Sequence, residues 1–257
     1  MSDDASRPEL TIMTFNVGNG LATPELLVRL LRHSGADVIG LQELSAEQAD
    51  AVDRLARDRY PYRIVRGTGF EGRGLLSRHP IAEQEWMHLI PHRPDLRAVV
   101  EVDGRPVTIF VAHPPPPKVS RQGVIFDPET IAQIDQLAAN VAGTAPALLL
   151  GDFNMTARNP KYAHLVASGL IDAFGTAGTG RGATFPTRPG RIRTVNHRMT
   201  WMPLPPVGRV DYIWVTPEFD LQRAWVGRAN AGSDHLPVLA RVTLRPQKSS
   251  GRAPYPP

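Results

Sequence analysis

Short apolar runs bounded by Gly, Pro, Asp or Asn recur along the chain: TIMTFNV (11–17), DVIGLQEL (37–44), YRIVRG (62–67), GLLSRHPI (74–81), AVVEV (98–102), VTIFVAH (107–113), ALLLGDF (147–153), DYIWVTP (211–217) and LPVLARVTL (236–244). Their Val, Ile, Leu and aromatic content predicts strands. Several are apolar at nearly every position and so need cover on both faces, while others alternate as half-covered antiparallel strands do. Two segments carry helical spacing. TPELLVRLLRHSG sets Leu26, Leu27, Leu30 and Leu31 on one face, with Thr23 as N-cap, Pro24 at the first position and Gly35 as the stop. DPETIAQIDQLAANVAG repeats the design with Asp127, Pro128 and Gly143.

The pattern reads as a layered α/β protein with mixed sheets. Neither an internal repeat nor a mid-chain linker interrupts it, so residues 9–246 are expected to form one domain, with flexible ends over 1–8 and 247–257. Residues 173–209 read as a long irregular stretch, and a loop of that length inside a compact domain is usually functional.

Apolar residues at 42% and charged residues at 21% of 257 are ordinary for a chain that buries a large core. The absence of cysteine removes disulfides, zinc thiolate sites and thiol nucleophiles. With no run of membrane-spanning length and no leader pattern at the N-terminus, a soluble, cytoplasmic protein is expected. The net charge of +4 is modest, but its distribution is uneven. No acidic residue lies between Asp172 and Asp211, where Arg181, Arg188, Arg191, Arg193, Arg198 and Arg209 all fall. Such a stretch is either a solvated basic loop or a phosphate-binding one.

Some signals are structural. GTGFEG (67–72) has the spacing of a dinucleotide-binding loop, but a strand follows it rather than a helix, so it is expected to be a hairpin turn. His88 and His92 have the spacing of a metal pair, yet Pro91 breaks any helix between them. His33 fits the dipole of a helix C-terminus, and PPPP (114–117) is a rigid polyproline segment.

The chemistry sits at strand ends: Asn16 in TFNVG, Glu43 in LQEL, His113 in FVAHP, Asp152 and Asn154 in GDFN, Asp211 in RVDYIWV, and Asp234 with His235 in SDHLPV. Each has its own bland explanation, a backbone hydrogen bond, a helix cap or a buried histidine. Burying Glu43, Asp152, Asp211 and Asp234 together without a cation would cost on the order of several kcal/mol apiece. Their convergence calls for a metal or protonated imidazole. Hard oxygen donors without thiolates suit Mg²⁺ or Mn²⁺, ions that keep several waters and take substrate phosphate oxygens. The set therefore reads as a phosphoester site.

TFNV, LQEL, GDFN, RVDYIWV and SDHLPV, in this order over about residues 10–245, resemble the motifs of the endonuclease/exonuclease/phosphatase superfamily, the DNase I-like fold. The resemblance implies a four-layer α/β/β/α sandwich of two mixed β-sheets flanked by helices. It implies Glu43 as principal metal ligand for Mg²⁺ or Mn²⁺, assisted by Asn16 and Asp234. Asp152 would activate the water, Asn154 would hold the phosphate, and Asp211 would keep His235 protonated. His113 would contact the phosphate from the other side and aid the leaving group, with Glu71 the nearby acidic candidate for its partner, and Arg73 would lean into the cleft. HPPPP departs from the nuclease branch.

The leading expectation is a metal-dependent phosphodiesterase acting as a monomer without an obligate protein partner, with DNA or RNA the first substrates to test. Arg181 and Arg188 would track the phosphate backbone while Trp201 and Phe185 stack on bases. The alternative is a phosphatase or phosphodiesterase for a small, phospholipid or polyprenyl phosphoester, in which HPPPP and WMPLPP shape a pocket or touch a membrane. A catalytically silent binding module is the third reading. Asp152→Ala and His235→Ala are expected to abolish hydrolysis with little loss of folding.

Overall fold

The computed structural model describes residues 9–120, 123–188 and 205–246. The first sheet has six strands in the order β13-β14-β1-β2-β4-β3, formed by Phe219–Val226, Val238–Leu244, Glu9–Asn16, Val38–Gln42, Arg73–Ser77 and Tyr62–Arg66. The second has the order β11-β12-β10-β7-β6-β5, formed by Ile171–Asp172, Asp211–Val215, Ala147–Asp152, Arg105–Ala112, Asp95–Val102 and Ile81–Met87. β1 runs parallel to β2, and β10 parallel to β7, while the other neighbours are antiparallel, so both sheets are mixed. A small hairpin, β8 (Lys118–Ser120) and β9 (Gly123–Ile125), follows the prolines.

Side-chain alternation converts these sheets into four layers. Leu10, Ile12, Val38 and Leu75 of the first sheet share one core with Ile109, Val111, Leu148, Leu150 and Ile213 of the second. The alternate residues of the same strands face outward: Met13, Phe15, Ile39 and Leu41 pack with Leu27 and Leu31 of helix α1 (Pro24–His33) and Val52 of α2 (Ala46–Leu55). On the far side, Phe110, Leu149, Tyr212 and Trp214 pack with Ile134 and Leu137 of α3 (Pro128–Ala142) and Leu165 of α4 (Pro160–Ala167). This is the expected α/β/β/α sandwich. No described helix is long and apolar enough to cross a membrane.

Glycine allows close approach both between the sheets and between neighbouring strands of one sheet. A Cβ on Gly40 would lie 3.0 Å from Leu150 Cδ1, and one on Gly151 only 2.1 Å from the Ala112 carbonyl oxygen. Gly151 therefore serves the approach of β10 to β7. Gly151→Ala is expected to destabilise by about 1–3 kcal/mol or more through overpacking against backbone, visible as a lower urea midpoint.

All nine sequence-predicted strands are present, with GLLSRHPI ending at Ser77, whose hydroxyl bonds both the N–H and the carbonyl of His79. The GTGFEG segment is the connection between the antiparallel β3 and β4, with a 3-10 turn over Gly69–Glu71. On α1 the buried face is Leu27, Val28 and Leu31, while Leu26 is half exposed, so the apolar stripe is rotated from the expected one. His88 and His92 are exposed, and His33 Nδ1 pairs with the Arg29 carbonyl in the last turn of α1. The 173–209 stretch opens with a short helix, α5 (Ala173–Ala177), instead of being irregular throughout.

Candidate active site

The parallel pairs bring the C-terminal ends of β1, β2, β7 and β10 to one edge of the sandwich, where β12 begins antiparallel with Asp211 directly opposite Asp152. Asn16 ends β1, Glu43 follows β2, His113 follows β7 and Asp152 ends β10. The meeting is direct: Asn16 Nδ2 donates to Glu43 Oε1 at 3.2 Å and to Asp152 Oδ2 at 3.0 Å, joining the two sheets. His235 Nδ1 bonds Asp211 Oδ2 at 2.9 Å, and its Nε2 lies 3.7 Å from Asp152 Oδ2. His113 Nε2 stands 3.6 Å from both Glu43 Oε1 and Asp152 Oδ2.

Two of these residues sit in strained backbone. Glu43 has φ of 57° and Asn154 of 51°, a left-handed conformation that costs a non-glycine residue of order 1–3 kcal/mol and clusters at functional sites. The β3–β4 turn holds Glu43 in place. Gly69 N–H donates to the Leu44 carbonyl at 2.8 Å, and Gly72 lies so close that an added Cβ would be 2.1 Å from the Leu44 oxygen. Asn154 is fixed by its N–H on Asp152 Oδ1 at 2.8 Å and by its Nδ2 on the Pro114 carbonyl at 3.0 Å. Ser233 Oγ donates to the Asn16 carbonyl and accepts from His235 N–H, tying the His235 loop to β1.

Burial and neighbours set the charges. The Asp152 carboxyl is raised to about 7, chiefly by burial and further by Asp211, against the opposing pull of His235. Glu43 is raised by burial and by Asp234. His235 goes the other way: burial opposes its charge, but Asp211 and Asp152 outweigh that and hold the imidazole protonated up to about 10. His113 lies well below the ordinary histidine value because it is buried and the Arg73 and Arg93 guanidiniums face it. The two histidines thus carry different charges at neutral pH. This corrects the expectation of an acidic partner for His113, since its Nδ1 is buried without a hydrogen-bond partner among the described residues.

Other expected roles change as well. The Asn16 amide oxygen accepts from Gly18 N–H at 2.9 Å, an unambiguous donor, so its NH₂ faces the carboxylates. Asn16 is therefore a bridge between Glu43 and Asp152 rather than an oxygen ligand. Arg73 is fully buried behind the site and donates to the carbonyls of Phe70, Gly72 and His113, so it does not reach into the cleft as a substrate contact. Arg209 is consumed by a bidentate pair with Asp172 at 2.8 and 2.6 Å and by the Tyr212 ring, so it leaves the basic stretch. Arg188 donates to the Gly232 carbonyl and Arg181 is exposed. Arg191, Arg193, Arg198 and Trp201 lie outside the described residues. Phe185 lies over the His235 ring, with centroids 4.6 Å apart.

Asp95 was not singled out by sequence. It opens β6, is fully buried, and accepts from His113 N–H at 3.3 Å and from Gln133 Nε2 at 2.7 Å. Its one signal is an acid at the head of the apolar run AVVEV.

The model of the endonuclease/exonuclease/phosphatase family matches residues 13–235, which span every motif at this edge. The chain belongs to this family. Members of the family are hydrolases acting on phosphoester bonds. Solved structures share its fold: an endonuclease/exonuclease/phosphatase from Beutenbergia cavernae, 19% identical over 93% of this chain and 72% of that one, has a TM-score of 0.68. The 3′ phosphatase NExo from Neisseria, bound to product DNA hairpin, is 19% identical over 90% and 98% with a TM-score of 0.66. TDP2 from D. rerio, complexed with single strand DNA product, is 18% identical over 91% and 99% with a TM-score of 0.64. No curated protein matches the chain.

The family is generally divalent-metal dependent. Asp152, Asp211 and His235 offer ligand atoms within 4.8 Å of one another. However, Asp211 and Asp152 raise His235 to about 10, so at neutral pH its ring offers a metal no lone pair. Glu43 differs: it is buried, has Asp234 for a neighbour, and makes its bond to an amide rather than to a cationic side chain. Its hard oxygens fit Mg²⁺ or Mn²⁺. Because a ligating carboxylate must be ionised and burial raises Glu43, Mg²⁺ should raise the melting temperature more at about pH 8 than at about pH 5.5. Thermal scans with and without the ion check this.

Proposed function

We propose that the protein is a divalent-metal-dependent phosphodiesterase of the nuclease type. One observation carries the reading: the His235 ring, bonded to Asp211 at 2.9 Å, stands 3.7 Å from Asp152, which Asn16 joins to Glu43 across the sheets. Glu43 with Asp234 would hold Mg²⁺ or Mn²⁺, which when bound neutralises the non-bridging phosphate oxygens. Asp152, with its carboxyl near neutrality, accepts the proton of the attacking water and orients its lone pair. The water oxygen bonds to phosphorus as the ester P–O bond breaks on the opposite side, and the leaving oxygen departs as an alkoxide that takes its proton from solvent water. His235, kept charged by Asp211, offers Nε2–H to the phosphate oxygens as charge accumulates there. His113 is neutral and supplies one hydrogen bond, so it is not the acid that protonates the leaving oxygen.

Nucleic acid is the first substrate to test. The Neisseria and D. rerio proteins of like fold bind DNA products, and Phe185 over His235 offers a face beside the scissile position. A second reading, a small or lipid-linked phosphoester, is favoured by the rigid Pro114–Pro117 segment, which leaves the site directly and would narrow it. A panel of plasmid DNA, single-stranded DNA, RNA, bis-nitrophenyl phosphate, phosphoinositides and prenyl pyrophosphates with Mg²⁺ or Mn²⁺ separates them. With DNA or RNA as substrate, kcat/KM should fall steeply with salt as phosphate contacts are screened. Cleavage of nucleic acid that is indifferent to salt would count against a basic track.

A further inference from the structure

The segment that carries His113 has an anchoring problem written into its sequence. Pro114 to Pro117 have no backbone N–H, so the N–H of His113 is the last backbone donor before Lys118. The structure meets this with two fully buried charges. Asp95, at the head of β6, accepts the His113 N–H at 3.3 Å, and Arg73, at the head of β4, donates Nη2 to the His113 carbonyl at 3.3 Å. The two peptide units that flank the His113 Cα are thus gripped, one by an anion and the other by a cation. Each charge has its own support: Gln133 Nε2 on Asp95 at 2.7 Å, and the Phe70 and Gly72 carbonyls on Arg73 Nη1 at 3.2 and 3.0 Å.

For stability alone this is a poor arrangement. Burying a guanidinium and a carboxylate costs more than packing apolar residues of the same volume. Arg73 also leaves its Nε without a partner among the described residues. What the pair achieves is position. With the backbone fixed, His113 Nε2 sits midway between Glu43 and Asp152, 3.6 Å from each.

We propose that Arg73 and Asp95 form a backbone clamp that positions the His113 imidazole between Glu43 and Asp152. Both are positioning residues acting through His113, and neither touches substrate. This inference rests on the phosphodiesterase reading for its kinetic arm only.

The test is a cycle with His113→Ala, assayed on bis-nitrophenyl phosphate with Mg²⁺. Arg73→Met and Asp95→Leu should each lower kcat by about 10- to 100-fold, the scale of an ångström of misplacement, with KM changed by less than about 3-fold. In the His113→Ala background the same substitutions should add almost nothing, because their route to the chemistry is already cut. Asp95→Asn, which keeps the acceptor oxygen, should restore most of what Asp95→Leu loses. If a single variant fails to fold because it leaves its partner charge buried alone, Arg73→Met/Asp95→Leu removes both and should fold with the same kinetic defect. A multiplicative loss on top of His113→Ala, or wild-type turnover in the double variant, overturns the clamp.

Imidazole NMR keeps this separate from the activity itself. His113 should give one sharp set of resonances in wild type and a broadened or doubled set in the double variant. An unchanged set there overturns the clamp even if no phosphodiester is cleaved, whereas an inactive wild type with the expected spectra overturns only the reading of function.

Discussion

Asp152→Asn should lower kcat by about 10³-fold or more while the protein stays folded, because it removes the group that takes the proton of the attacking water. The asparagine preserves volume and keeps an oxygen for the Asn154 N–H, while the acceptor for Asn16 Nδ2 is lost. Stability should move the opposite way to activity. Burial raises the Asp152 carboxyl from the ordinary carboxylate range to about 7, so the folded state disfavours its ionised form. The metal-free wild type therefore loses stability from this group as pH rises from about 4 through about 7. Asparagine carries no such penalty, so at about pH 8 without metal the variant should melt at or above wild type. Circular dichroism melts at two pH values, beside turnover, check both halves.

His235→Ala should lose about 10²- to 10³-fold in kcat, the scale of removing one donor from a developing oxyanion. Unlike Asp152→Asn, it should also damage the fold. The imidazolium lies 2.9 Å from Asp211 and 3.7 Å from Asp152, two carboxylates paired across β10 and β12, and deleting it leaves them facing each other. This replaces the sequence-based expectation of a variant with intact stability. The folded value of His235 is raised above its unfolded one, so its contribution is complete below about pH 6.5 and fades as pH passes about 10. The melting deficit of His235→Ala should therefore be larger at about pH 6 than at about pH 10. His235→Ala/Asp211→Asn should recover stability without activity.

The same two groups set the pH dependence of wild-type kcat/KM. Turnover should rise as Asp152 ionises, at about 7 or lower once a cation neighbours it, and fall as His235 deprotonates near 10.

Much of this site was legible because polar residues at the tips of apolar strands have few other reasons to be there. Asn16, Glu43, His113, Asp152 and Asp211 each lie at a strand end or one residue beyond it, and parallel pairing in both sheets sends those ends to one edge. What stayed hidden depended on contacts between distant residues. Asp95 reads as a loop acid until His113 and Gln133, 18 and 38 positions away, are seen to bond it. Arg73 lies between two glycines that reveal nothing about its direction. The charge of His113 follows from what faces it, Arg73 and Arg93 in place of a carboxylate.

Among the elements, β5 and β13 escaped notice as edge strands with polar sequences such as the exposed Glu83, Gln84 and Glu85. Helix α2 is apolar at few positions, yet its Ser45–Gln48 capping box, both bonds of which are made, was a readable signal. Asn159 before Pro160 marked α4 in the same way.

The most direct test is Mg²⁺ titration of EDTA-stripped wild type and Asp152→Asn while nitrophenolate release from bis-nitrophenyl phosphate is followed. The site described here predicts saturable activation of the wild type from a near-zero baseline and a flat line for the variant. Undiminished turnover by the stripped wild type, or equal activation of both proteins, would contradict it.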